Sequence, residues 1–81
     1  MNKETIVNDL RELFREFFDD PDLELNAESS PDTIEDWDSL AHMSLIVSIE
    51  KHFQVKFRMD QVSELKTFGK IAAALENMKA D

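Results

Sequence analysis

Eighty-one residues suffice for one domain with a modest core, so a single unit over residues 1–81 is expected, without a large internal active site. Eighteen acidic residues against nine basic give a net charge of −9, which repels nucleic acid and anionic membrane and favours encounter with basic protein surfaces. The absence of cysteine excludes a disulfide framework, a thiolate metal site and a cysteine nucleophile, so any thiol chemistry must come from outside the chain.

The start, Met1-Asn2-Lys3-Glu4-Thr5, has no basic segment followed by an apolar run, and no stretch is long enough to cross a bilayer. A cytoplasmic protein is expected. Ile6, Val7, Leu10, Leu13, Phe14, Phe17 and Phe18 share one arc of a helical wheel, and Asn8, Asp9, Arg11, Glu12, Arg15 and Glu16 the other. This predicts an amphipathic helix over 3–18, with Asn2 as its cap and Glu4 in its first turn. From Asp19 to Trp37 the period is lost, and Pro21, Ser29, Ser30 and Pro31 signal turns. Leu23, Leu25 and Ile34 remain as apolar anchors, so the long loop is expected to lie across the helices. Asp20, Asp22 and Glu24 alternate as in a calcium loop. The required glycine is missing, however, and Pro31 stands where the closing glutamate belongs, so no calcium site is expected.

A second helix is predicted from the N-cap Asp38 to Phe53, a short third over Asp60–Glu64, and a fourth after Thr67. In the fourth, Phe68, Ile71, Ala72, Leu75 and Met78 form the expected buried stripe. The fold class is therefore all-α: three longer helices and one short one around a single core. The apolar arc of helix two is wider than one buried face requires. Leu45, Ile46, Ile49 and Phe53 are assigned to the core, while Leu40, Met43 and Val47 form an adjacent stripe, either free for a partner or covered by the loop.

Ser39 falls in the first turn of helix two, where free backbone N–H groups and the helix dipole favour a phosphate; a cap contribution is the plainer role for the same residue. His42 and Asp38 complete the residue types of a hydrolase triad, but a surface helix offers neither an enclosed pocket nor an oxyanion hole. His42 is expected to be packed and hydrogen-bonded on the core side, and His52 solvated or packed on a loop. The two are too far apart, and too poorly supported by other ligands, for zinc.

The stretch Asp36-Trp37-Asp38-Ser39-Leu40, opening an amphipathic helix midway along an acidic helical chain of this size, resembles the acyl carrier protein family. The resemblance spans the first helix, the long loop, the Asp-Ser-Leu motif, the second helix to Phe53 and the segment Val55–Leu75. It implies a four-helix acyl-carrier bundle and a carrier, not an enzyme. Ser39 would accept 4'-phosphopantetheine from coenzyme A through a separate phosphopantetheinyl transferase with magnesium. Asp38 would belong to the transferase and magnesium environment, and Leu40, Met43, Val47 and Glu50 to the docking face for acyl-loading and acyl-processing enzymes with basic surfaces. Phe57, Val62, Leu65 and Ile71 match positions bordering the space between helices two and three, where some carriers shelter the acyl chain; a core role suits them equally.

Three positions depart from the pattern of fatty acid synthase carriers. Trp37 replaces a small residue, and Ser44 and Lys51 replace acidic ones, which directs the expectation to a stand-alone monomeric carrier of a specialised pathway, with fatty acid, polyketide or related acyl cargo. A peptidyl or aminoacyl carrier, and an acidic adaptor without a prosthetic group, remain the alternatives.

Overall fold

Helix α1 (Lys3–Phe17) begins where Asn2 Oδ1 accepts the Thr5 amide at 2.8 Å, satisfying one of the first-turn N–H groups that the helix itself cannot. The computed structural model describes residues 2–79, and among these it contains α1, α2 (Ser39–Phe53), α3 (Met59–Val62) and α4 (Phe68–Lys79), with no strand. Helix α1 stops one residue short of the predicted end. The left-handed turn at Asp19 (φ 53°) carries the chain away, and the Asp20 amide folds back to donate to the Arg15 carbonyl at 2.9 Å.

Ile6, Leu10 and Phe14 of α1 meet Leu45, Ile46, Ile49 and Phe53 of α2 and Phe68, Ile71, Ala72 and Leu75 of α4 in one buried cluster. Each large side chain removed from water in this way stabilises the fold by roughly 1.5–3 kcal/mol. Phe14 is the hub. Its ring stands edge-on to Trp37 at 5.3 Å and to Phe68 at 5.1 Å, so one residue of α1 fastens both the end of the loop and the start of α4.

The loop over 18–38 is laid across the helices as expected, and it is pinned by more than its predicted anchors. Leu25 and Ile34 are buried and Leu23 is half-buried, but Ser29 and Trp37 are buried too. Arg15 Nε donates to the Leu23 carbonyl at 2.8 Å, tying the loop to α1. Its far side meets α4: the first-turn amides of Phe68 and Gly69 donate to the carbonyls of Ser29 and Ala27 at 2.8 and 3.0 Å, and Thr67 Oγ1 accepts the Lys70 amide.

Two expectations need correcting. Met78 is 37% exposed and does not belong to the buried stripe of α4, because the core ends at Leu75. The short helix lies one to two residues earlier than Asp60–Glu64. Turn chemistry sets it: Gln61 Oε1 accepts the Arg58 amide at the start, and past Val62 the Ser63 hydroxyl donates to the Asp60 carbonyl while the ladder tightens to i→i−3 bonds. His52 is exposed, the first of its two expected placements. Its Nε2 lies 3.0 Å from Asp9 Oδ2 of α1, across the α1–α2 seam.

Candidate functional site

Asp38 caps α2 from an extended backbone (φ −96°, ψ −175°), its Oδ1 accepting the Ala41 amide at 2.8 Å and its carbonyl accepting the His42 amide at 2.8 Å. This assignment frees the neighbouring residue. Ser39 is the first residue of α2, exposed, and the capping role of a serine is already filled by Asp38. The amides of Ser39 and Leu40, in the same unpaired first turn, add the positive end of the helix dipole.

Beside Ser39 opens a groove of about 540 Å³ between α2 and the α3 region, lined by Met43, Met59, Val62 and His42 together with Pro31, Asp38, Ser63 and Lys66. Of these, Met59, Ser63 and Lys66 are not singled out in the sequence, and Pro31 is read there only as a turn residue. A period-based reading cannot find them, because Lys66 lies in the α3–α4 connection and Met59 faces solvent at 83% exposure. A larger depression of about 630 Å³ lies between Gln61, Lys66 and Asn77, but it does not include Ser39.

The rest of the expected site is arranged as follows. Leu40 (83%), Met43 (50%) and Val47 (46%) are exposed and form a stripe running from Ser39 down α2; the loop does not cover it. Glu50 is half-buried, and its Oε2 accepts the Phe57 amide at 2.9 Å, so one carboxylate oxygen is committed to the connection between α2 and α3. Val62 lines the groove, whereas Phe57, Leu65 and Ile71 are core residues. Trp37, read as a departure near the site, has its indole 1% exposed against Phe14 and Phe18, so it presents no face to a partner. Its Nε1–H donates to His42 Nδ1 at 3.0 Å, and His42 Nε2 lies 3.3 Å from the Val62 carbonyl.

A family model described as a phosphopantetheine attachment site matches residues 8–75. The chain belongs to this phosphopantetheine attachment family. It is accordingly a carrier protein and not an enzyme, and the prosthetic group of its kind is a covalent 4'-phosphopantetheine. Among solved structures it is similar to the solution structure of a holo acyl carrier protein from Geobacter metallireducens, with a TM-score of 0.81 and 39% identity over 88% of this chain and 82% of that one. Comparison with curated proteins gives no match. The all-helical fold described above is that of an acyl carrier protein.

The residues of this carrier fit such a group. An exposed hydroxyl at a helix start can take a phosphodiester, the amides of the first turn and the Lys66 ammonium in the groove lining oppose its negative charge, and Met43, Met59 and Val62 offer apolar contact to a flexible arm. Among the described residues no three histidine, aspartate or glutamate side chains gather as a metal site, and no helix is long and apolar enough to cross a membrane.

Proposed function

We propose that Ser39 is the attachment point of the phosphopantetheine arm and that this single-domain monomer carries acyl groups on it in the cytoplasm, for a specialised fatty acid, polyketide or related pathway. The observation that carries this reading is the division of labour at the start of α2: Asp38 caps the helix, and Ser39 is left exposed beside an apolar groove. The arm supplies the thiol that a chain without cysteine lacks, and holds acyl groups as thioesters.

In the loading reaction the Ser39 Oγ bonds to the phosphorus that bears the pantetheine, the P–O bond to adenosine 3',5'-bisphosphate breaks, and the hydroxyl proton passes to a base of the transferase. Asp38 stands one residue away, in position to share the transferase's magnesium environment. Leu40, Met43 and Val47 make the docking face for the transferase and the acyl-handling enzymes, with Glu50 at its edge through its remaining carboxylate oxygen. The preference for a specialised pathway rests on Ser44 and Lys51, both exposed on α2 where fatty acid synthase carriers are acidic; Trp37, being buried, no longer bears on it.

The test is intact-protein mass spectrometry after incubation with coenzyme A, magnesium and a broad-specificity phosphopantetheinyl transferase. The wild type should gain the mass of one phosphopantetheine and Ser39→Ala none. Addition to the alanine variant would move the attachment point elsewhere, and no addition to either would favour the adaptor reading.

A further inference from the structure

His42 is held by two hydrogen bonds that define its protonation. The indole Nε1 of Trp37 is a donor only, so the His42 Nδ1 that receives it at 3.0 Å must offer a lone pair. The ring proton therefore sits on Nε2, which donates to the Val62 carbonyl at 3.3 Å. Both ring nitrogens are thus in use only when the imidazole is neutral and in the Nε2–H tautomer.

The two partners differ in how firmly they are held. Trp37 is 1% exposed among Phe14 and Phe18 and stacks on the His42 ring, with centroids 5.9 Å apart. Val62 is the last residue of α3, a helix with no fully buried residue: Val62 itself is half-buried against the core, and the segment is otherwise anchored through its flanks, Phe57 and Leu65. A segment with so little buried surface belongs to the low-stability end of a fold. Protonating Nδ1 would bring two N–H groups face to face. Because the indole is locked in the core, it is the His42 ring that must swing out, and the Val62 carbonyl is released with it.

We propose that His42 is a positioning residue that ties α3 to α2: while neutral it sets the width of the groove beside Ser39, and on protonation it frees α3 and opens that groove. The charged groups sharing the groove with the ring are Asp38 from α2 and Lys66 from the α3–α4 connection, one of each sign, and the nearby Asp60 of α3 is paired with Arg58. The consequence for an arm on Ser39 rests on the function proposed above, but the tie itself belongs to the unmodified chain and is tested there.

The experiment is a pH series by NMR on the unmodified protein. Above the imidazole range, the ring nitrogens of His42 should show the Nε2–H tautomer, and the Trp37 indole proton should be shifted and slow to exchange. Once the His42 ring nitrogens report the protonated ring at low pH, that indole signal should have moved and the amides from Met59 to Leu65 should exchange at least about tenfold faster relative to those of α1 and α4. His42→Gln can still accept from the indole and donate to Val62 without titrating, so it should keep the indole signal and abolish the pH step in the α3 region. His42→Phe should show fast exchange there at every pH, and His52→Gln should leave the step in place. A Nδ1–H tautomer in the wild type, or the same pH step in His42→Gln, would overturn the proposal; neither result would depend on whether Ser39 is modified.

Discussion

Gly69→Ala puts the contact between the loop and α4 to a direct test, because two effects of opposite sign meet there. Helix propensity favours alanine over glycine by about 0.8–1.0 kcal/mol, and Gly69 lies within α4, so on propensity alone the variant would be more stable. The space says otherwise. A Cβ built on Gly69 would lie 2.7 Å from the Ala27 carbonyl oxygen and 2.9 Å from the Ala27 Cβ. The first of these is backbone, so no rotamer change relieves it, and the same oxygen accepts the Gly69 amide at 3.0 Å. Overpacking at a close contact costs about 1–3 kcal/mol, and weakening the hydrogen bond adds about 1 kcal/mol. Subtracting the propensity gain leaves a net destabilisation of about 1–3 kcal/mol. In a domain of this size each kcal/mol moves the thermal midpoint by about 4–8 °C. Thermal and urea unfolding followed by far-ultraviolet circular dichroism would measure it. A variant as stable as the wild type, or more so, would refute the close approach of the loop to α4.

Two further perturbations address the surface. Val47→Asp places a charge in the exposed apolar stripe without touching the core, so the thermal midpoint should hold while the kcat/KM of the transferase for the carrier falls about tenfold or more, as for a central interface residue; an unchanged rate would remove the stripe from docking. The Asp60 carboxyl is held below the usual carboxylate range first by side-chain hydrogen bonds from Arg58, whose Nε and Nη2 donate at 3.1 and 2.7 Å, and then by its charge. A depressed folded value contributes stability above the ordinary aspartate range and loses it as the pH falls through the folded value, here weakly because both side chains are exposed. Carbon NMR titration should find Asp60 low in the wild type and back in the ordinary range in Arg58→Ala, and identical titrations would dismiss the pair.

What could be read in advance followed physical period. The inward faces of α1 and α2 and the separate stripe of Leu40, Met43 and Val47 follow from helical spacing, because each helix meets the core along one face; that the loop leaves the stripe uncovered does not. Where period is absent, only chemistry at a distance decides. Ser29 is a polar loop residue buried because its hydroxyl accepts the Asn26 amide and its carbonyl receives the start of α4. Glu50, an acid on an exposed-looking face, bends to the Phe57 amide seven residues on. Neither partner is signalled by its neighbours in the chain. Met78 shows the converse failure: the period continues past the point at which there is a core to meet.

Trp37 links these two kinds of information. Its position just before the Asp-Ser-Leu motif marks it as unusual, yet its consequence lies in packing. The indole fills the space beside Phe14 and satisfies its one polar atom on His42, so burying it leaves no donor unpaired. Two residues later, after one residue of extended backbone, Ser39 faces solvent. The chain is thereby nailed to the core on one side of Asp38 and exposed on the other. If Ser39 bears the arm as proposed, the attachment point must keep a fixed frame while the thiol at the end of the arm meets successive enzymes, and a loop of some twenty residues would not hold such a frame by itself. An anchor immediately before the cap transfers the rigidity of the core to the start of α2, so Ser39 is presented by the helix and not by the loop that precedes it.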